Sequence, residues 1–323
     1  MHYISLPFEE IQRLSFYLAQ EEYIARYRKE DDCFFMWQVE PSVIFGRNQL
    51  IENEVNLAYC KEHNIQTYRR KSGGGCVYAD KKNIMFSYIN TGNSVSFTFD
   101  KYIRLVTHTL KKLGLDANTS GRNDILIGNK KVSGNAFYHL PGRNIVHGTM
   151  LYDTDMQNMI GSITPSDKKL ISKGVKSVRQ HITLLKDHID IDIETFKMYV
   201  RTHLCDSEIQ LTTEEVQIIR EIEKEYLSPE FIYGNNPRHS VIKRKRIEGC
   251  GEFEVQIELK NNIIKSVNIM GDYFLVGDLD NSLLPLLYET PYTIDSVSDA
   301  LKNIQIENYI HNLNKEQLLT ILF

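Results

Sequence analysis

The stretch from Arg69 to Asp80 limits the possible folds of this chain more than any other. It reads R-R-K-S-G-G-G-C-V-Y-A-D, so three successive glycines separate cationic residues from a return to apolar ones. Glycine adopts positive φ angles and has no Cβ, which favours a loop whose backbone N–H groups face an anion. A plain turn between two strands is the alternative interpretation, because glycine-rich turns are common. The stretch matches neither G-x-x-x-x-G-K-[ST] nor G-x-G-x-x-G, so those two phosphate-binding loops are excluded.

Two later stretches place polar residues within otherwise apolar strands. Gly121 to Phe137 reads G-R-N-D-I-L-I-G-N-K-K-V-S-G-N-A-F. This pattern predicts a strand at residues 125–127, a two-residue hairpin turn at Gly128-Asn129 and a returning strand at residues 130–133. Val146 to Tyr152 reads V-H-G-T-M-L-Y, an apolar strand that His-Gly-Thr interrupts. The polar residues of both stretches are candidates for a binding site.

In these three stretches the chain resembles the lipoate–protein ligase family. The family's marks are an R-R-x-S-G-G-G-x-V loop, a G-R-N-D strand leading to K-V-S-G-x-A, and an H-G-T-L-L strand. All three occur here in the family's order and close to its spacing. Further matches include G-R-N-Q at residues 46–49 and D-K-K-L-I-S-K-G-V-K-S-V-R at residues 167–179. The resemblance therefore covers essentially the whole chain.

The length and the residue pattern predict two domains. A chain of 323 residues exceeds what one ordinary core supports. Strands interleaved with helices and hairpins predict an α+β fold, beginning with an amphipathic helix at residues 8–30. The resemblance implies a mixed-sheet catalytic domain, like that of lipoate and biotin–protein ligases, at residues 1–243. A small α+β C-terminal accessory domain is expected at residues 247–323, after the basic run Lys243–Arg246, which is interpreted as a solvated linker.

Composition excludes several classes of protein. The net charge of −4 argues against a general nucleic-acid binder, which needs a basic excess to neutralise phosphates. No apolar run approaches the roughly 18 residues that span a bilayer, and the N-terminal residues lack the pattern of a signal peptide. The five cysteines form no C-x-x-C pair, which suits reduced thiols and offers no zinc site. We therefore expect a cytoplasmic protein with no nucleic-acid or membrane partner. A monomer is also expected.

The activity that the resemblance implies places physical demands on the site. Joining a carboxylic acid to a lysine amine is uphill in water, so ATP first converts the acid to an acyl-adenylate. Because a carboxylate attacks a triphosphate in that step, the site needs fixed cations and backbone donors around the oxygens on which charge grows. The sequence offers the N–H groups of the glycine loop, Arg70 for a bidentate contact and Lys131 as a point charge.

The resemblance also assigns roles to individual residues. Lys131, the lysine of K-V-S-G, is the expected catalytic residue, since its family counterpart touches both the lipoyl carbonyl and the nucleotide phosphate. Lys130 should face the other way, because adjacent side chains of a strand point to opposite sides. Asp124 is the expected Mg²⁺ ligand, as one carboxylate combined with substrate phosphates usually holds this ion. The residues expected to bind lipoate and ATP are Arg70, Ser72, Gly73, Gly74, Gly75, Cys76, Val77, Tyr78, Asn83, Asn123, Asp124, Lys131, Ser133, Gly134 and His147.

Secondary candidates lie in the lysine-rich element, whose family counterpart borders the site. They are Lys168, Lys173 and Arg179. Two positions depart from the family's pattern. Ala79 stands where the family often has histidine, so any role of a histidine there is lost or moved. Cys76 stands where alanine is usual, and it is either a nucleophilic thiol or a small buried hydrophobic residue.

These features predict an ATP-dependent lipoate–protein ligase. With MgATP and lipoate it forms lipoyl-AMP and then modifies one lysine of lipoyl-domain acceptors, namely 2-oxo acid dehydrogenase acyltransferase subunits and the glycine cleavage H protein. An octanoyltransferase or lipoyl amidotransferase of the same fold is the main alternative. Those enzymes form an acyl-enzyme on a cysteine, and the sequence has none between Lys131 and Asp190. A biotin–protein ligase has a different glycine loop, and a non-catalytic lipoate or nucleotide binder would not need Lys131.

Overall fold

The computed structural model describes residues 1–49, 51–92, 94–120, 123–163, 181–233, 241–260 and 262–323. The strands are β1 (His2–Ser5), β2 (Asp32–Trp37), β3 (Ser42–Phe45), β4 (Gln66–Arg69), β5 (Val77–Ala79), β6 (Ile84–Thr91), β7 (Ala117–Thr119), β8 (Asp124–Ile127), β9 (Lys130–Leu140), β10 (Arg143–Met150), β11 (Ser207–Gln210), β12 (Val241–Ile247), β13 (Gly251–Lys260) and β14 (Ile263–Gly271). The helices are α1 (Leu14–Tyr27), α2 (Ile51–Glu54), α3 (Leu57–Glu62), α4 (Val95–Lys112), α5 (Met156–Ser162), α6 (Ile193–Leu204), α7 (Thr213–Leu227), α8 (Pro229–Tyr233), α9 (Ile294–Ala300) and α10 (Lys315–Leu322). Among the helices in these ranges, none has the length and apolar character needed to cross a membrane.

The catalytic domain is built on an eight-stranded mixed sheet. Its strand order is β11-β1-β2-β6-β10-β9-β8-β7, in which β1 is parallel to β11 and β2 and the other neighbours are antiparallel. Helices α4 and α6 cover one face, while α1 and α7 cover the other. The central strands β6 and β10 are buried along almost their whole length, as expected when both faces are covered. This architecture confirms the predicted α+β class with a mixed sheet.

A three-stranded sheet supports the glycine loop. Its order is β4-β3-β5, with β3 parallel to β4 and antiparallel to β5. Val43, Phe45 and Tyr78 of this sheet form a separate small core with Cys60 of α3. Residues 70–76 connect β4 to β5, so the loop is held at both ends by strands of one packed sheet.

Helix α1 differs from the amphipathic helix that the sequence predicts. Its residues 14–25 are all buried, including Glu21 and Glu22. The two carboxylates have partners from distant parts of the chain, because His147 contacts Glu21 and Lys71 contacts Glu22. Glutamates suggest a solvated helix face, whereas here they are buried with compensating groups.

The C-terminal domain contains the antiparallel sheet β12-β13-β14, and α9 and α10 contribute to its core. The linker interpretation of Lys243–Arg246 is wrong, because this run lies inside β12. Arg244 pairs with Glu254 at 2.6 Å and Arg246 with Glu252 at 3.0 Å across the strand pair. Opposite charges that face each other on neighbouring strands stabilise the pairing, so a basic run does not require a solvated segment.

The start of β12 also bears on the domain boundary. A division at residues 243–247 would cut the sheet of the small domain, since β12 begins at Val241. We propose that the two domains divide between Tyr233, the last residue of α8, and Val241. The Gly-Asn-Asn-Pro sequence at residues 234–237, which suggests a break in the helical pattern, lies outside the described residues.

Candidate active site

A cavity lies between the two sheets of the catalytic domain, with about 600 Å³ of space when its opening to solvent is included. Apolar side chains of Leu18, Trp37, Ile44 and Met85 form part of its wall, and the C-terminal domain contributes Phe274. The predicted site residues that line it are Arg70, Gly74, Gly75, Cys76, Val77, Asn123, Lys131, Gly134 and His147. The three sequence stretches that carry the family's marks therefore meet at one cavity.

The remaining predicted residues, all within the described ranges, are not among the residues that line the cavity. They are Ser72, Gly73, Tyr78, Asn83, Asp124 and Ser133. Tyr78 belongs to the core of the small sheet, and Asn83 donates a hydrogen bond to Thr154 Oγ1 at 2.9 Å. The secondary candidates Lys168, Lys173 and Arg179 fall outside the described residues.

Arg70 holds the glycine loop in shape. Its buried guanidinium donates to the carbonyl oxygens of Ile44, Gly73 and Gly75 at 3.2, 2.6 and 2.8 Å, and to Ser72 Oγ at 2.9 Å. At most one N–H group then remains, which is too few for the predicted bidentate contact with phosphate unless Arg70 releases some of these partners. Burial lowers the pKa of Arg70 to about 10, and the side chain is therefore still cationic at neutral pH.

The two cations that flank this arginine also bind protein groups. Arg69 donates to main-chain oxygens of the turn at residues 46–49 and of α8. Lys71 pairs with the buried Glu22 at 2.9 Å and with Glu225 of α7 at 2.8 Å. The cationic run thus fixes the loop against α1, α7 and α8, and it leaves contact with a bound anion to other groups.

Lys131 extends from β9 to the cavity. Its Nζ lies 2.8 Å from Asp124 Oδ1, and the two side chains are 36% and 27% exposed. The ammonium group passes over Gly134, where a Cβ would stand 2.7 Å from Nζ. Lys130 is exposed and lies outside the lining set. Of the two adjacent lysines, Lys131 is therefore the one that reaches the cavity.

Two asparagines cross-link the cavity wall between β8 and β9. Nδ2 of Asn123 donates to the main-chain oxygen of Asn135 at 2.8 Å, and Nδ2 of Asn135 donates to that of Asn123 at 2.9 Å. The side chain of Asn135 fills the space where a Cβ of residue 148 would be, which explains the glycine of H-G-T. Sequence reasoning missed Asn135, and the pairing of β9 with β8 skips Val132, so the alternation of side chains at Lys131 does not continue to Asn135.

His147 belongs to a buried hydrogen-bonded chain. Its Nε2 is 2.7 Å from Ser72 Oγ, and its Nδ1 donates to Glu21 Oε2 at 2.9 Å. Ser87 Oγ donates to Glu21 Oε1 at 2.5 Å and accepts from Trp37 Nε1 at 2.8 Å. The chain fixes the imidazole and the indole, both of which line the cavity. Sequence reasoning missed Glu21, and the available signal was a pair of glutamates inside a largely apolar helix.

The two departures from the family's pattern introduce no reactive group. Cys76 lines the cavity, but burial raises the pKa of its thiol well above the ordinary range. Because the thiolate is the nucleophilic form, this environment favours the hydrophobic interpretation of Cys76. Ala79 is fully buried in β5, among the apolar residues between α1 and the sheets.

Known proteins share this arrangement along almost the entire chain. The model of the lipoyl protein ligase A/B catalytic domain matches residues 14–205, and the model of the bacterial lipoate protein ligase C-terminus matches residues 236–322. Lipoate-protein ligase LplJ of Bacillus subtilis is 32% identical over 318 residues, which are 95% of this chain and 96% of that protein.

Two solved structures resemble the larger part of the molecule. One is a bi-partite lipoate protein ligase of Thermoplasma acidophilum, reported with its E2 lipoyl domain, at 28% identity and a TM-score of 0.65 over 75% of this chain and 100% of that one. The other, a lipoate-protein ligase A bound with ATP, has 26% identity and a TM-score of 0.63 over 72% of this chain and 98% of that one. On the catalytic-domain match and the full-length relative, this chain belongs to the lipoate–protein ligase family.

Proposed function

We propose that this lipoate–protein ligase activates lipoate with ATP and transfers the lipoyl group to a lysine of an acceptor domain. The observation that carries the proposal is the position of Lys131. Its ammonium group lies at a cavity that also has apolar walls, and it is held there by a partly exposed ion pair with Asp124. An ion pair of this kind contributes little free energy, so the lysine can exchange its partner for a substrate anion.

The apolar part of the cavity suits the acid. Leu18, Ile44 and Met85 offer aliphatic contacts, and Trp37 supplies a large flat surface. A pocket of this kind removes an acyl chain from water, while a few polar groups fix its reactive end. Lipoate, a carboxylate on an aliphatic chain with an apolar ring, has that character.

The first half-reaction depends on the charge of Lys131 and on the N–H groups of the glycine loop. The carboxylate oxygen of lipoate forms a bond to the α-phosphorus of ATP, and the bond from that phosphorus to the bridging oxygen breaks. Pyrophosphate leaves with the electron pair. Lys131 offsets the negative charge that the carboxylate and the phosphate bring together, and main-chain N–H groups of the glycine loop supply further donors.

A magnesium ion fits the residues present at this end. Asp124 provides one carboxylate next to Lys131, and the described part of the chain contains no cluster of three or more histidine, cysteine, aspartate or glutamate side chains that could hold a metal. Mg²⁺ is commonly bound by one or two carboxylates together with substrate phosphates, so a single aspartate suffices. When bound, the ion would offset phosphate charge, and Asp124 is the residue proposed to hold it.

The second half-reaction transfers the acyl group. The uncharged amine of an acceptor lysine attacks the carbonyl of lipoyl-AMP, a C–N bond forms, and AMP leaves with the electron pair as the amine loses a proton. We propose lipoyl domains of 2-oxo acid dehydrogenase acyltransferase subunits and the glycine cleavage H protein as acceptors. The lipoyl domain reported with the related ligase of Thermoplasma acidophilum supports this class. We also propose that the enzyme is monomeric and cytoplasmic. Its five free thiols suit a reducing compartment.

A cofactorless acyltransferase is the competing function. It would need a thiolate at the acyl group, and of the five cysteines, all in described residues, Cys76 is the one that lines the cavity. Burial raises the pKa of that thiol, which opposes thiolate formation.

Pyrophosphate release separates the two functions. The ligase should release pyrophosphate only when lipoate and MgATP are both present, and an acceptor lipoyl domain should then become modified. If octanoyl-acyl-carrier protein without ATP modifies the acceptor at the full rate, the enzyme is a transferase and the proposal fails.

A further inference from the structure

Phe274 is an aromatic residue of the C-terminal domain that packs in the catalytic domain. It follows β14 closely and is 2% exposed. Its neighbours Tyr273 and Leu275 belong to the core of the C-terminal domain, whereas Phe274 belongs to the core cluster between the large sheet and α4. The chain thus directs one side chain out of its own domain and into the other.

The ring has a defined place in the catalytic domain. It stacks on Phe137 of β9, with ring centroids 5.3 Å apart and an interplanar angle of 25°. The ring of His311 of the C-terminal domain lies perpendicular to the same Phe137 ring, with ring centroids 5.8 Å apart. The main-chain oxygen of Phe274 accepts a hydrogen bond from His311 N at 3.0 Å, which fixes the two contacts relative to each other.

The glycine loop is shaped to receive this segment. Gly74 N donates to the main-chain oxygen of Tyr273 at 2.9 Å. A Cβ on Gly73 would clash with that oxygen, and a Cβ on Gly74 would stand 2.8 Å from Cε1 of Phe274. Two glycines that the sequence assigns to substrate binding therefore also permit the C-terminal domain to dock.

Two further contacts hold the domains together beside the loop. Gly271 N donates to the main-chain oxygen of Asn48 at 2.6 Å, and Arg47 pairs with Asp280 at 2.9 Å. These contacts place the end of β14 against the turn that follows β3. With the domains docked in this way, the ring of Phe274 forms part of the cavity wall.

We infer that Phe274 is a specificity-determining wall of the acid-binding pocket, supplied by the C-terminal domain. The inference rests on the proposed function, because it identifies the acid as the ligand of this cavity. A phenyl ring has no hydrogen-bond donor or acceptor, so its contribution to a ligand is apolar contact and the exclusion of water. The ring is assigned to the acid because Phe274 lines the same cavity as Leu18, Ile44 and Met85, whose aliphatic side chains suit the body of the acid. Acid binding should therefore depend on the docked domain, and by linkage the acid should favour docking.

Equilibrium binding of the acid tests this assignment without turnover. Isothermal titration of lipoate, without ATP, is carried out on the full-length protein and on Phe274→Ala, Phe274→Leu and Phe323→Ala. Phe323 is the matched control, since it stacks on Tyr292 within the C-terminal domain at 4.7 Å and lies outside the cavity-lining set. Phe274→Ala should raise the Kd for lipoate about 10-fold, Phe274→Leu should recover part of the loss, and Phe323→Ala should leave the Kd unchanged.

Affinities for a series of saturated acids, shorter and longer than octanoate, distinguish two roles of Phe274. Its ring either contacts the acid as part of the pocket wall or only holds the two domains together. If the ring is a wall, Phe274→Ala changes the order of preference within the series, because the space it leaves favours bulkier acids. An equal loss of affinity for every acid would mean that the ring only docks the domain, and it would overturn the assignment. An unchanged Kd for lipoate would overturn it as well.

The same titration keeps this inference apart from the proposed function. If the native protein binds lipoate and the variants differ as expected, but no pyrophosphate is released with ATP, the ligase proposal fails and the wall assignment stands. If pyrophosphate is released and Phe274→Ala binds every acid as the native protein does, the ligase proposal stands and the wall assignment fails. Absence of lipoate binding by the native protein contradicts both.

Discussion

Lys131 Nζ lies 2.8 Å from Asp124 Oδ1, above the Cα of Gly134, where a side chain would displace it. This arrangement explains why residue 134 of K-V-S-G is glycine, because a Cβ there would stand 2.7 Å from the ammonium nitrogen. The pair is partly exposed, and such pairs contribute roughly 0–1 kcal/mol. Lys131 is thus positioned in the resting protein by a contact that a substrate anion can readily replace.

The first prediction concerns Lys131 itself. Replacing it with Ala should slow lipoyl-adenylate formation by roughly 10²-fold or more, as loss of one preorganised charge partner does in other enzymes. Lys130→Ala is the matched control, because it removes the same side chain from the exposed neighbouring position. Pyrophosphate release measures the rate, and the melting temperatures of both variants should stay close to that of the native protein. Equal losses of rate in the two variants would contradict the role given to Lys131.

The second prediction tests Asp124 as the magnesium ligand. Asp124→Asn keeps the shape of the side chain and removes its charge, so the Mg²⁺ concentration that gives half the maximal rate should rise several-fold. The measurement is pyrophosphate release against Mg²⁺ at saturating ATP and lipoate. Asp116→Asn, an exposed aspartate before β7, should leave the magnesium dependence unchanged. A native-like magnesium dependence of Asp124→Asn would show that other groups hold the ion.

The third prediction separates the observed role of Arg70 from the one that the sequence suggests. Arg70→Ala leaves the buried carbonyl oxygen of Gly73 and the partly buried one of Gly75 without their donor, so the free energy of unfolding should fall by about 1–3 kcal/mol. Arg47→Ala, which removes an exposed arginine paired with Asp280, should cost much less. Denaturant unfolding of both variants checks this. If Arg70→Ala raises the KM for ATP and leaves stability unchanged, Arg70 is a substrate contact and not a loop support.

Local patterns in the sequence predict the strands that form the site, and long-range pairing sets their length. The hairpin around Gly128-Asn129 and the H-G-T strand are present because turn residues and apolar alternation act over a few positions. The returning strand, predicted to end at Ser133, continues as β9 to Leu140, since its outer half pairs with β10. The pattern of residues 130–133 does not indicate that a strand later in the chain pairs with this one and extends it.

The partners of the cations could not be predicted from the sequence. Lys71 sits beside the glycines like a phosphate ligand, but its carboxylate partners lie 49 and 154 residues away on α1 and α7. Phe274 was missed for a similar reason, because an aromatic residue after a strand gives no sign that it packs into another domain. Lys131 was found through the family's K-V-S-G motif, and the alternation of a strand separated it from Lys130.

The last prediction concerns Cys76, the one group that would allow the transferase alternative. Burial raises the pKa of its thiol, so at any given pH the thiolate fraction is smaller than that of an ordinary cysteine. Alkylation of Cys76 by iodoacetamide, followed by mass spectrometry of the modified peptide, should therefore accelerate only above the pH range of a free thiol. Cys76→Ala should retain ATP-dependent lipoylation within a few-fold, because alanine fills nearly the same apolar space and leaves Lys131 and Asp124 in place. Rapid alkylation at neutral pH together with loss of all activity in Cys76→Ala would identify Cys76 as a nucleophile and would favour an acyl-enzyme.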